Sequence, residues 1–222
     1  MILCLSQVLD AALRARLDAL LEDAAFEDGA ATAGWHARLV KANRQAVPRH
    51  PGAREAAVLV SAALREHPVF RAGVQPRRIA PPLFARYAGG ESYGTHVDDA
   101  LMGTDPLRSD VAVTVFLADP ATYGGGELVI EDPAGEQAFR LGAGDAIAYP
   151  ATSLHRVAPV TSGERRVAVT WVQSLVRDAA QREILFDLDT ARRQVFEREG
   201  KSATFDLLAK SHANLLRRWA EV

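Results

Sequence analysis

A histidine and an aspartate two residues apart stand near the end of the run Arg86-Tyr87-Ala88-Gly89-Gly90-Glu91-Ser92-Tyr93-Gly94-Thr95-His96-Val97-Asp98-Asp99. On a strand, side chains alternate, so His96 and Asp98 point to one side while Val97 and Asp99 point to the other. An imidazole and a carboxylate so placed can take adjacent positions on one metal ion. A hydrogen-bonded surface pair is the competing reading, because His-x-Asp is common by chance. His155, in Tyr149-Pro150-Ala151-Thr152-Ser153-Leu154-His155-Arg156-Val157, supplies a second imidazole from a distant strand. Two histidines and one carboxylate form the facial set used for non-haem Fe(II), which leaves positions open for an oxidisable co-substrate and O2. Zinc accepts the same donors but prefers four-coordinate tetrahedral sites, and three ligands do not decide between the metals.

A fourth residue adds a chemical constraint. Ten residues after His155, Arg165 opens the stretch Arg165–Gln173. Alternation puts Arg165 on a face with Val167, Val169 and Trp171, an otherwise apolar face that should turn inward, and leaves Arg166 with Thr170 as a solvated charge. A buried guanidinium needs a partner, and a carboxylate gripped by both of its oxygens is the natural one. A metal triad with an inward arginine implies a small dicarboxylate that chelates the metal at one end and meets Arg165 at the other. 2-Oxoglutarate has that shape.

Other chemistry-bearing residues carry plainer expectations. His36, His50 and His67 read as surface residues, and His212 as packed or at an interface. Asp99 either orients a ligand histidine or faces solvent, and Asp145 reads as a turn residue. The glycines at 124–126 lack the lysine and helix of a phosphate-binding loop and read as a tight turn. Ser153 and His155 lack the G-x-S-x-G of a nucleophile elbow. Tyr149 and Trp171 are expected to pack on the inner face of the sheet, and Tyr93 to lie on a segment covering the pocket mouth as a lid.

The elements that must position these groups fall into three regions. Residues 1–77 read as a mostly helical support. Asp10 caps a helix ending near Asp23, with Leu13, Leu17, Leu20 and Leu21 on one face. A second helix fits 52–66 with Ala56, Leu59, Val60, Ala63 and Leu64 inward, stopped by Pro68. The aperiodic stretch between Gly29 and Pro51 is given a short strand at Arg38–Val40. Across 78–176, short β-branched or aromatic runs alternate with glycine and proline turns and no helices intervene. That texture predicts an antiparallel double-sheet jelly roll enclosing a pocket. Residues 177–222 return to helical spacing: one segment over 178–199 stops at Gly200, and another over 203–220 carries the stripe Phe205, Leu208, Ala209, His212, Leu215, Leu216 and Trp219. These helices are expected to pack on the sheet or against a second subunit of a homo-oligomer. The fold class is α+β, a double-stranded β-helix (jelly roll) core with N-terminal and C-terminal helices.

Composition closes off several function classes. The 222 residues suffice for one sizeable core. The 26 basic against 28 acidic residues leave a formal charge of -2, so a general nucleic-acid binder is not expected. No apolar run is long enough to span a bilayer. A single cysteine, Cys4, excludes an internal disulfide framework and multi-cysteine metal sites, and reads as a small buried apolar residue. The start lacks the basic region and apolar stretch of a signal peptide, so a reduced, cytoplasmic protein is expected.

Tyr87, His96-x-Asp98, His155 and a basic residue ten further on resemble the prolyl 4-hydroxylase-like Fe(II)/2-oxoglutarate dioxygenases. The closer resemblance is to the bacterial PKHD-type hydroxylases, the PiuC group associated with iron uptake. It is carried by PLFARY, ESYGTHVD, TVFLADP, YGGGELVIED, AGDAIAYP, LHRVAPVTSGER and TWVQS, and continues through LFDLDTA and SHANLLRRWAEV. The resemblance implies that His96, Asp98 and His155 bind Fe(2+), that Arg165 binds 2-oxoglutarate, and that Tyr87 hydrogen-bonds the same distal carboxylate. It further implies hydroxylation of an unidentified primary substrate with O2 and release of succinate and CO2, supported by L-ascorbate. The rival from another class is a non-catalytic jelly-roll module that senses a metal or a carboxylate.

Overall fold

The computed structural model describes all 222 residues. An eight-stranded antiparallel sheet forms the base, in the order Leu3–Leu5, Ala146–Pro150, Val111–Phe116, Glu164–Ser174, Leu83–Ala88, Arg44–Ala46 and Phe26–Asp28, with Pro76–Ile79 also pairing Glu164–Ser174. A five-stranded antiparallel sheet covers part of it, in the order Gly135–Phe139, Leu128–Asp132, His155–Val157, Ser92–His96 and Lys41–Ala42. This is the predicted jelly roll with helices at both ends of the chain.

Strand Val111–Phe116 is buried on both faces, and its alternation divides the interior in two. Val111, Val113 and Val115 join a core built with helices α1 (Ala11–Leu21), α2 (Pro51–Glu66) and α3 (Pro68–Val74), which lie on the outer face of the large sheet. Ala112 and Phe116 instead join Leu128, Ile130, Ile147, Val157 and Val167 between the two sheets. The helical layer stiffens the large sheet, while the second core leaves one end of the sandwich open.

Local chemistry accounts for the helix boundaries. Asp10 accepts the Leu13 N–H at 2.7 Å, capping α1. Leu17 is buried, and Leu13, Leu20 and Leu21 pack beside it. Pro68 does end α2, but it also opens α3 as its first-turn proline, and His67 caps that helix by accepting the Phe70 N–H at 3.3 Å. α4 (Ala179–Glu199) ends at Gly200, with φ of 64°, and packs chiefly against α3 and α5 (Ala203–Trp219) rather than on a sheet. The predicted α5 stripe is half-buried along its whole length. The chain end is tied back to the core through Glu221, whose N–H donates to Leu175 O at 2.7 Å.

The details add to or differ from the expectations. The first 77 residues carry four strands besides their helices, contributing to both sheets. Arg38–Val40 lies in a 3-10 turn, Ala37–Val40, and the strand begins only at Lys41. Cys4 is exposed, not buried, because edge strand Leu3–Leu5 turns Leu5 into the core and Cys4 outward. His36, His50 and His67 are half-buried rather than on the surface. No helix is long and apolar enough to cross a membrane.

Candidate active site

Two cross-strand pairs build the site, one on each sheet. On the small sheet, His96 and His155 stand opposite each other on adjacent antiparallel strands. On the large sheet, Arg165 stands opposite Tyr87 in the same way. Both pairs line one cavity of about 410 Å³, together with Asp98, which follows His96 as its strand ends.

The triad converges. Asp98 Oδ1 lies 4.0 Å from His96 Nε2 and 3.9 Å from His155 Nε2. The donor atoms of all three lie within 4.8 Å of one another. Both histidines are held by their other nitrogen: His96 Nδ1 donates to Gly94 O at 2.8 Å, and His155 Nδ1 to Ser153 O at 3.1 Å. That tautomer leaves each Nε2 lone pair aimed at the cavity, as a metal-ligating imidazole requires. Burial, then the neighbouring His155, pushes His96 down to about 3, which keeps the ring neutral. Burial raises the Asp98 carboxyl, with His155 pulling the other way. The Trp171 indole approaches that carboxylate, yet buried Oδ2 has no hydrogen-bond partner. Two imidazoles presenting their Nε2 atoms and a carboxylate with an unpartnered oxygen form a donor set that fits a divalent metal.

Arg165 is the bulkiest fully buried side chain in the molecule, 1% exposed. No carboxylate pairs with it. Its guanidinium carbon stands 5.1 Å from the Tyr87 ring centroid and 5.7 Å from that of Phe116, and its Nε has no partner. Burial lowers its pKa, a mark of a cation stripped of water without an anion to replace it. Tyr87 is buried at 4% exposure with its hydroxyl beside the Asn43 amide, whose own polar atoms lack partners. A small carboxylate entering this end of the cavity would satisfy Arg165.

Of the glycines at 124–126, Gly124 and Gly125 form a short strand paired with Val160–Ser162 rather than a tight turn, and Gly126 alone meets Arg165. Gly126 adopts φ of 69°, and a Cβ there would sit 2.9 Å from Arg165 Cδ and 3.0 Å from Val160 Cγ2. Glycine at 126 therefore lets backbone lie directly over the arginine stem.

The remaining candidates sort clearly. Tyr149 and Trp171 both line the cavity. Asp99 lies at its mouth, exposed, with its carboxylate against Gly34. Asp145 accepts the Gln7 N–H at 2.8 Å in a turn, and Arg166 pairs with Asp18 of α1 at the surface. His212 is half-buried near Asp189 and Arg192, between α4 and α5. Tyr93 is not on a lid: it sits in strand Ser92–His96, pairs with Lys41 and Val157, and stacks on His96 with ring centroids 3.6 Å apart.

Residues 41–46 escaped the sequence reading. This segment passes from the small sheet (Lys41–Ala42) to the large one (Arg44–Ala46) and walls one flank of the cavity with Lys41 and Gln45. The signal was present as polar residues at alternate positions, Lys41, Asn43 and Gln45, of which Asn43 and Gln45 are buried.

Comparison with known proteins places this architecture. Residues 82–173 match the 2OG-Fe(II) oxygenase superfamily, and residues 179–221 match the PKHD-type hydroxylase C-terminal domain. A PKHD-type hydroxylase from Acaryochloris marina is 53% identical over 221 residues, covering 100% of both chains. Among solved structures, a Pseudomonas putida prolyl-4-hydroxylase aligns with a TM-score of 0.53 at 18% identity, over 78% of this chain and 92% of that one. A Trichoplax adhaerens prolyl hydroxylase in complex with a hypoxia inducible factor peptide aligns with a TM-score of 0.59 at 14% identity, over 77% and 82%. These structures share the fold. The chain belongs to the PKHD-type hydroxylases of the 2OG-Fe(II) oxygenase superfamily. It is a 2-oxoglutarate-dependent dioxygenase, with Fe(2+) as the family's metal and 2-oxoglutarate and O2 as its co-substrates.

Proposed function

We propose that the protein hydroxylates a C–H bond of a primary substrate, with release of succinate and CO2, using His96, Asp98 and His155 as iron ligands. Arg165 and Tyr87 would hold the far carboxylate of 2-oxoglutarate. The observation that carries this reading is that one cavity is lined both by the convergent His96–Asp98–His155 donor atoms and by the buried Arg165 guanidinium, which no carboxylate of the protein pairs. Fe(II) held there would supply O2 activation coupled to oxidative decarboxylation of the co-substrate. His96 and His155, locked through Nδ1, present fixed Nε2 donors. Asp98 brings the negative charge and a free Oδ2. Arg165, unable to lose its proton under ordinary conditions, fixes the orientation of the dicarboxylate, and the apolar walls exclude water.

Residues 78–176 would form the catalytic core, supported by 1–77 and extended by 177–222. L-Ascorbate is proposed as the external reductant that restores Fe(II) after turnover without substrate. Iron uptake or homeostasis is proposed as the setting on the resemblance alone. A reducing cytoplasm suits a chain whose lone Cys4 can form no internal disulfide.

Anaerobically purified protein given Fe(II), 2-oxoglutarate, ascorbate and air is expected to release succinate slowly without a primary substrate, detectable by mass spectrometry. Binding of iron and 2-oxoglutarate with no succinate above a metal-free control would favour the sensing module instead. Gly126→Ala should lower stability by about 1–2 kcal/mol, from backbone strain at positive φ. It should also raise the 2-oxoglutarate concentration needed for succinate release, since the new methyl displaces the Arg165 stem. Unchanged melting temperature and unchanged requirement would remove Gly126 from the site.

A further inference from the structure

We propose that Lys41 anchors the primary substrate through a carboxylate, so that the substrate is a monoanion with an apolar body. The inference rests on the function proposed above. Two basic side chains line the cavity, Arg165 and Lys41, and they sit on different sheets. Arg165 is accounted for by the co-substrate. Lys41 is not.

Lys41 occupies the edge of the small sheet, opposite Tyr93. Its Nζ donates to Thr32 Oγ1 at 3.0 Å and stands 5.1 Å from the centroid of the Tyr93 ring. No acidic side chain forms an ion pair with it, Thr32 Oγ1 is its hydrogen-bond partner, and the residue lines the cavity. An ammonium partly removed from water and left with a neutral hydroxyl is costly unless a ligand completes its shell. Its pKa agrees, lowered by burial to about 8, with Asp28 and then Asp98 opposing.

Tyr93 touches both this ammonium and His96, so an anion held at Lys41 keeps the rest of its molecule beside the triad. Charge decides the class of anion. With Asp98 committed to the metal, Asp99 still lines the same cavity, and a phosphate dianion there would add two negative charges beside that carboxylate with Lys41 as the one free cation. A carboxylate is matched by Lys41 alone. The walls around it, including Ala33, Ala37, Pro48, Val97 and Met102, suit an apolar body rather than a second charged group.

The test is binding, not turnover. Ni(II)-loaded protein saturated with 2-oxoglutarate is titrated with N-acetyl-L-leucine and N-acetyl-L-phenylalanine, each against its own carboxamide. Each acid is expected to bind at least about tenfold more tightly than its amide, the worth of one charge-assisted contact. Lys41→Gln should erase that preference and Lys41→Arg should retain it, while 2-oxoglutarate affinity moves less than threefold in either variant. Equal binding of acid and amide, binding of no probe, or a preference that survives Lys41→Gln would each overturn the assignment. A tenfold loss of 2-oxoglutarate affinity in Lys41→Gln would overturn it too, by moving Lys41 to the co-substrate. If the wild-type protein takes up no 2-oxoglutarate, the proposed function fails, and the same comparison on Ni(II)-loaded protein alone still decides the role of Lys41.

Discussion

Asp98→Asn is expected to lose metal binding and succinate release while its metal-free form remains folded and at least as stable as the wild type. Without a cation, the Asp98 carboxylate is buried with one oxygen unpartnered, and its pKa in the folded protein is raised by that burial. A carboxyl raised on folding contributes stability that is complete in acid and lost as pH rises through the raised pKa, so at neutral pH the charge is a cost. The amide keeps the shape and removes that cost. Metal binding should fall by more than about 100-fold, since disturbing even the residues that orient metal ligands costs about 10- to 100-fold. In melting experiments, a divalent metal at a hundred times its dissociation constant stabilises the wild type by about 2.7 kcal/mol. For a chain of this size that is a rise of about 5–10 °C. The variant should show almost none of that rise. A full metal-induced rise in Asp98→Asn would remove Asp98 from the ligand set.

Arg165→Met is expected to raise the 2-oxoglutarate requirement by more than 100-fold, with metal affinity changed less than threefold. The guanidinium is fully buried without an anion, so exchanging it for an apolar side chain of similar length relieves desolvation in the free protein. The cost falls on the bound state, where the far carboxylate of the co-substrate would be buried without its counter-charge. Breaking such a pair costs about 3 kcal/mol or more, equivalent to over 100-fold in concentration. The melting temperature of metal-loaded protein separates this outcome from misfolding, because it should be no lower than that of the wild type, with the further rise on adding 2-oxoglutarate lost. An unchanged requirement would place the anchor elsewhere. Arg166, paired with Asp18 on the outer face, would then be a poor substitute.

Both variants concern residues whose types and spacing were readable before the fold. Strand alternation predicts His96 and Asp98 on one side, whereas the strand ends at His96 and Asp98 reaches the cavity from the segment just beyond it; Arg165 does fall on an inward face. What spacing does not contain is register. That His96 lies opposite His155, and Tyr87 opposite Arg165, depends on pairing strands far apart in the sequence, and a slip of one residue would point every side chain the other way. The capped helix α1 was legible because its signals are local: Asp10, then a leucine stripe. α3 was hidden because Pro68 ends one helix and starts the next without a linker. Cys4 was misplaced because a three-residue edge strand offers too few positions to show which side is buried. The segment from Lys41 to Ala46 lacked an apolar period because it changes sheets midway and buries amides, not hydrocarbons. Its polar alternation reads as a loop unless the cavity it borders is known. Tyr93 was drawn as a lid for want of its strand partners, Lys41 and Val157.

The central claim is that one cavity joins a metal at the His96–Asp98–His155 end to 2-oxoglutarate held by Arg165. Anaerobic visible absorption of the purified protein tests it most directly, with Fe(II) added first and 2-oxoglutarate second. A weak charge-transfer band that appears only when both are present is predicted, persisting at high 2-oxoglutarate in Arg165→Met and absent in Asp98→Asn. A folded, iron-loaded wild-type protein that shows no band on adding 2-oxoglutarate would contradict the claim and leave a metal site without a co-substrate.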